Sequence, residues 1–168
     1  MATANLTKKI CQNGIVAAVY FVLTLAFSGF AYGQIQFRIA EMLVLLCFFR
    51  PDFVFGVTLG CFLANINSTL GPYDMLIGTA ATFLSSLLLA YASPRLAVGC
   101  LYPIVFNAFI VAGELTWLLG LPYWANVAYV GLGEASVVVA AYALMLALIR
   151  NKGFMAALGP SRHAGVKW

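Results

Sequence analysis

Four of the five acidic residues in this chain stand where an acid is costly. Glu41, Asp74, Glu114 and Glu134 lie within or at the end of long apolar runs, and only Asp52 sits in a polar break. A charge at the centre of a bilayer costs at least about 2.5–3.5 kcal/mol, so such groups need a partner or a wet cavity. Spacing groups them further. Asn107 and Glu114 are seven apart and share a helix face, with Trp117 about one turn beyond. Asn126 lies two turns from Glu134, Asn65 ends another run, and Arg38 and Glu41, three apart, can pair on one face. Carboxylates, amides and aromatic planes together suit a flat heterocycle rich in N–H donors. A carboxylate accepts two parallel N–H bonds from an amidine-like edge, as it does from arginine, and Tyr or Trp can stack on a ring.

Each group also has a plainer reading. Arg38–Glu41 reads equally as a structural ion pair at a helix end, and Asn107 as a polar contact between helices. Asp74 follows Gly71-Pro72 and reads as a helix N-terminal cap. Tyr123 and Trp124 read as interfacial anchors. Glu114 and Glu134 carry the strongest functional expectation, because burying an acid in lipid is expensive.

Several chemistries are excluded. The chain has no GxxxxGK[ST] phosphate loop, no HExxH and no GxSxG, so no catalytic constellation is visible and neither catalysis nor a cofactor is expected. The lone histidine, His163, and four scattered cysteines offer no metal set; Cys11, Cys47, Cys61 and Cys100 read as small buried apolar residues. The net charge of +4 comes from basic residues scattered between apolar runs, not from a stripe that would bind nucleic acid.

The elements that position these residues follow from composition. Of 168 residues 64% are hydrophobic and 8% charged, against about 25% charged in a soluble domain; lipid is the remaining solvent. A spanning helix needs about 20 mostly apolar residues. Six apolar runs, separated by polar or Pro/Gly breaks, are read as the spans of one membrane domain, over about residues 10–30, 37–49, 53–66, 73–92, 96–119 and 124–149. The second and third are short and are expected to be shielded by the longer ones. The tail 154–168 is expected to be a cytoplasmic end, mobile or interfacial. An even number of spans puts both termini on one side, together with Lys8, Lys9, Arg50, Arg95, Arg150, Lys152, Arg162 and Lys167, leaving Arg38 opposite. That bias makes this side cytoplasmic. Tyr32, Tyr73, Trp117, Tyr123 and Trp124 then gather at the outer boundary, and Glu134 lies about ten residues, roughly 15 Å, below it.

Gln36-Phe37-Arg38-Ile39-Ala40-Glu41, followed by an apolar run and Phe49-Arg50-Pro51, resembles the signature of the queuosine-precursor transporter (QueT) family. So do Leu70-Gly71-Pro72-Tyr73-Asp74, Asn107-Ala108 leading to Gly113-Glu114-Leu115, Gly120-Leu121-Pro122-Tyr123-Trp124, and Gly133-Glu134. The resemblance spans about residues 14–150 and is specific in order and spacing. It implies an all-α integral membrane protein of six transmembrane helices, the substrate-binding S component of an energy-coupling factor (ECF) transporter in the bacterial cell membrane. It implies an outer site for a 7-deazaguanine such as preQ1; the loop from Tyr32 to Gln36 is expected to close over the bound ring. It also implies a transmembrane coupling protein and two ABC ATPases as partners, the coupling protein packing on Gly14 and Ala18, one turn apart on the first helix. Another heterocycle (a nucleobase or tryptophan) and a small oligomeric channel stay open as alternatives.

Overall fold

The computed structural model describes residues 2–31 and 37–159, which form helices and turns without strands. Helix α1 (Ala2–Ala26) is followed by the short α2 (Ser28–Ala31). A 3-10 segment over Ile39–Leu45 runs into α3 (Leu46–Phe49). Then come α4 (Phe53–Asn65), α5 (Pro72–Tyr91), α6 (Leu96–Gly99), α7 (Leu101–Leu119), α8 (Tyr123–Leu148) and α9 (Lys152–Leu158).

Four stretches are long and apolar enough to cross a membrane: Leu6–Ala26, Pro72–Tyr91, Leu96–Leu119 and Tyr123–Leu148. The other two apolar segments, Ile39–Phe49 and Phe53–Asn65, are shorter. The 13 residues of α4 rise about 20 Å at 1.5 Å per residue, against a hydrocarbon core of about 30 Å.

Local chemistry sets the boundaries. Gly71, at φ 60°, turns the chain into α5, whose first turn opens on Pro72. Gly120, left-handed at φ 67°, ends α7. The interruption between α6 and α7 falls one turn before Pro103, which has no N–H for the Gly99 carbonyl.

The second apolar run was expected as one α-helix. It starts instead as a 3-10 segment, and Ala40, Glu41, Val44, Leu45, Cys47, Phe48 and Phe49 are all buried within it. It packs between α1, α5 and α8 as a central plug, so the expected shielding by longer helices holds for this segment, whereas α4 leaves Phe55 and Leu59 exposed. The outer surface carries large apolar side chains, among them Ile15, Phe55, Leu76, Leu132 and Val139. The interior holds Arg38, Glu41, Asn65, Asp74, Thr82, Asn107, Glu114, Asn126 and Glu134. Apolar outside and polar inside is the arrangement lipid favours.

Helices α1 and α4 cross closely. A Cβ on Gly56 would lie 2.7 Å from the Asn13 carbonyl oxygen, and one on Gly60 would lie 2.7 Å from Tyr20 Cβ and 2.8 Å from the Ala17 oxygen. Gly56 and Gly60 are therefore the small residues, four apart, of the internal seam. Gly14 and Ala18 lie on the exposed side of α1, and a Cβ on Gly14 would meet nothing within 4 Å.

The first part of the tail forms a short helix, α9, against the bundle. Asn151 caps α9, its Oδ1 accepting from the N–H groups of Gly153 (2.8 Å) and Phe154 (3.2 Å), and Leu158 is buried. Arg50 fixes the far end: its Nη1 donates to the Leu158 carbonyl (2.5 Å), its Nη2 to Gln12 Oε1 (3.1 Å), and it pairs with Asp52 at 2.6 Å. Asn151 and Arg50 thus satisfy polar groups at both ends of this short helix, while Phe154, Met155 and Leu158 pack on the apolar core. The expectations for Tyr32, the loop to Gln36, Arg162, His163 and Lys167 lie outside the described residues. Among the cysteines, Cys47, Cys61 and Cys100 are buried as expected, but Cys11 is exposed, because it stands on the outward-facing side of α1.

Candidate functional site

Two clusters of buried polar groups face one another. The first joins the start of the 3-10 segment, the end of α4 and the start of α5. Arg38 Nη2 donates to Asn65 Oδ1 (3.0 Å) and to both Asp74 oxygens (3.1 Å each), forming a buried ion pair. Asn65 Nδ2 donates to the Asp74 carbonyl (2.9 Å), so its amide is occupied at both ends. Arg38 Nε and Nη1 are buried without a partner among the described residues.

Two sequence expectations change here. Arg38 does not pair with Glu41. Arg38 precedes the 3-10 turns with ψ 83°, so the three-residue helical spacing that would align the two does not hold. Asp74 does not cap α5, because it sits inside the first turn and turns inward to Arg38, while Gly71 occupies the cap position. A Cβ on Gly78 would collide with Asp74 Oδ1; glycine there leaves the carboxylate its room.

Glu41, with no exposed surface, accepts from Tyr20 OH (2.5 Å) and Thr82 Oγ1 (2.9 Å), both through Oε1. Its Oε2 has no partner among the described residues. Neither Tyr20 nor Thr82 was among the residues expected from sequence. The signal was a tyrosine hydroxyl in the middle of an apolar helix, which needs an acceptor when buried, and the run of Thr79, Thr82, Ser85 and Ser86 inside α5.

The second cluster belongs to α7 and α8. Gly131 faces Ala108, and Gly113 faces Tyr123. These contacts make the pair antiparallel, with Asn107 level with Glu134 and Glu114 level with Asn126. The two levels are about 10–12 Å apart along the helices. All four side chains are buried. Both Glu114 oxygens, both Asn107 side-chain atoms, Asn126 Nδ2 and Glu134 Oε1 lack a hydrogen-bond partner among the described residues. Asn107 neighbours Glu134, which is also within electrostatic reach of Glu41 and Arg38; Glu114 senses Asp74 and Arg38. The clusters therefore share one electrostatic space.

Trp117 stands apart. It is 69% exposed and meets Tyr73 edge to face at 5.6 Å, while Tyr123 and Trp124 pair at 5.2 Å. All four lie at one end of α5, α7 and α8, as an interfacial band does.

Such a site has a definite chemistry. Four carboxylates face one guanidinium, and Asp74 alone already balances Arg38. Unpaired buried polar atoms cost about 1–3 kcal/mol each. What remains open is a set of acceptors with a few donors, which a cationic or N–H-rich solute satisfies. Among the described residues no cluster of His, Cys, Asp and Glu could hold a metal ion.

Fold and site together define a polytopic helical membrane protein that keeps a carboxylate-rich polar site inside its bundle. The chain belongs to the QueT transporter family, whose model matches residues 10–150. It is 31% identical over 152 residues to the protein named queuosine precursor transporter QueT of Lactococcus lactis subsp. cremoris (strain MG1363), a match covering 81% of this chain and 89% of that relative. No solved structure matches the chain. Membership in a transporter family assigns it to transport.

Proposed function

We propose that the chain is the substrate-binding S component of an ECF importer in the bacterial cytoplasmic membrane, capturing a queuosine precursor at its outer face. The ligand is a 7-deazaguanine, preQ1 in this reading. The observation that carries it is the set of polar atoms on Asn107, Glu114, Asn126 and Glu134 that are buried without a partner among the described residues, with Arg38 within electrostatic reach of both glutamates. Glu114, with both oxygens open, suits the two parallel N–H groups of the guanine-like edge. Glu134 suits the aminomethyl cation. Arg38 Nε and Nη1 suit the ring carbonyl, with Asn65 and Asp74 holding the guanidinium in place, and Asn107 and Asn126 serve the remaining ring atoms.

The short segments 39–49 and 53–65 complete six membrane passes, with both termini cytoplasmic. The meeting of Arg50 with Gln12 and Leu158 supports this, because it gathers residues near both termini at one end. Outward-facing Gly14 and Ala18 form the docking face for the coupling protein, and two ABC ATPases supply the energy.

Native mass spectrometry of the purified chain, combined with calorimetry, tests the ligand. A co-purified mass of a 7-deazaguanine, and tighter binding of preQ1 than of guanine, which lacks the aminomethyl group, is the expected outcome. Equal affinity for the two would remove the cation from the scheme, and no binding of either would remove the ligand class.

A further inference from the structure

Glu41 differs from the other buried carboxylates in how its oxygens are used. Oε1 takes two hydrogen bonds, from Tyr20 OH at 2.5 Å and Thr82 Oγ1 at 2.9 Å, whereas Oε2 takes none among the described residues. Tyr20 and Thr82 come from different helices, α1 and α5. Tyr20 is itself held in place: it is fully buried and its Cβ abuts Gly60, where any added Cβ would lie 2.7 Å away. A carboxylate held through one oxygen by two donors on separate helices has lost its freedom to rotate about its terminal torsion. The second oxygen is left aimed at one place.

We infer that Tyr20 and Thr82 are positioning residues that divide Glu41, fixing Oε1 within the protein and presenting Oε2 alone to the solute. Glu41 then reads a single N–H donor, in contrast to Glu114, whose two open oxygens read a paired edge. The inference rests on the proposed ligand site for its consequence, but the hold on Glu41 stands on this geometry alone. It also accounts for a hydroxyl-bearing aromatic on α1, where phenylalanine would fill the same space beside Gly60 without meeting Glu41.

The test has a ligand arm and a ligand-free arm. Tyr20→Phe keeps the ring and removes the donor. PreQ1 affinity by calorimetry is expected to fall about ten-fold, the scale of one hydrogen bond to a charged group, and Thr82→Val is expected to do likewise. Thr82→Ser, which retains the hydroxyl, is expected to bind within about two-fold of the parent. In a Glu41→Gln background, Tyr20→Phe should add less than about two-fold, because both changes act through one carboxylate. Additive losses, or a Tyr20→Phe protein that melts lower and binds as tightly as before, would overturn the assignment. The ligand-free arm uses infrared spectroscopy: the carboxyl band that disappears in Glu41→Gln should be displaced in Tyr20→Phe. If the parent protein binds no preQ1, the ligand reading fails while this band still decides the hold. An unmoved band overturns the inference whatever the ligand.

Discussion

Arg38 Nη2 meets Asp74 Oδ2 at 3.1 Å across 36 positions of sequence, while Glu41, three residues from Arg38, is bonded to Tyr20 and Thr82. This long-range pair ties the entry of the 3-10 segment to the first turn of α5 and leaves the near acid without a salt bridge to Arg38. Removing one partner of a buried pair leaves an uncompensated charge. Asp74→Asn should therefore destabilise the ligand-free protein by about 3–5 kcal/mol, and the double variant Arg38→Gln/Asp74→Asn should recover more than half of that loss. Thermal unfolding in detergent measures both, and an Asp74→Asn protein with the parent's midpoint would argue against the pair.

Glu134→Gln keeps shape and removes charge. Ligand affinity is expected to fall about ten-fold or more, since a charge-assisted hydrogen bond contributes about 1.5–3 kcal/mol. The unliganded protein should melt at the same temperature or higher, because a buried charge has gone. Calorimetry showing unchanged preQ1 affinity would remove Glu134 from the site.

Gly60 and Gly14 separate the internal seam from the outward face. Gly60→Ala forces a Cβ against Tyr20 and Ala17 and should cost about 1–3 kcal/mol, read as a lower melting temperature. Gly14→Leu enters open space and should leave both the melting temperature and ligand affinity, within about three-fold, as they were. Co-purification with the coupling protein and cellular uptake should collapse in Gly14→Leu, since close helix packing depends on small residues. A Gly14→Leu protein that still assembles and transports would refute the docking assignment.

The clamp around Arg50 gives an acid dependence. Arg50's hydrogen bonds hold the Asp52 carboxyl below the usual aspartate value. A folded value below the unfolded one stabilises the fold above about pH 3.9, and that stabilisation is lost as pH falls through the lowered value. Asp52→Asn should melt lower than the parent near neutral pH, and the difference should narrow as the parent is acidified below about pH 4. A constant gap between the two midpoints across this range would show that Asp52 does not act through its charge.

Much was legible in the sequence, for a definite reason. Run length and composition alone decide that the chain is helical and lives in lipid, because every spanning backbone must satisfy its own hydrogen bonds. Seven-residue spacing put Asn107 and Glu114 on one face, and both are buried together. Intramembrane acids are expensive wherever they stand, so Glu114 and Glu134 stand out in the sequence alone, and both are buried.

Tertiary structure alone decided the partners. Asp74 read as a cap because local rules see only the preceding turn; its inward direction depends on where Arg38 arrives from another element. Tyr20 and Thr82 are ordinary residues in apolar helices until the fold brings α1 and α5 together at Glu41. Gly14 with Ala18 and Gly56 with Gly60 share the same four-residue spacing, and only the packed bundle shows which pair is inside. Helical period fixes which residues share a face, but not which way that face turns, and hydrogen-bond partners from distant segments are set by the path of the whole chain.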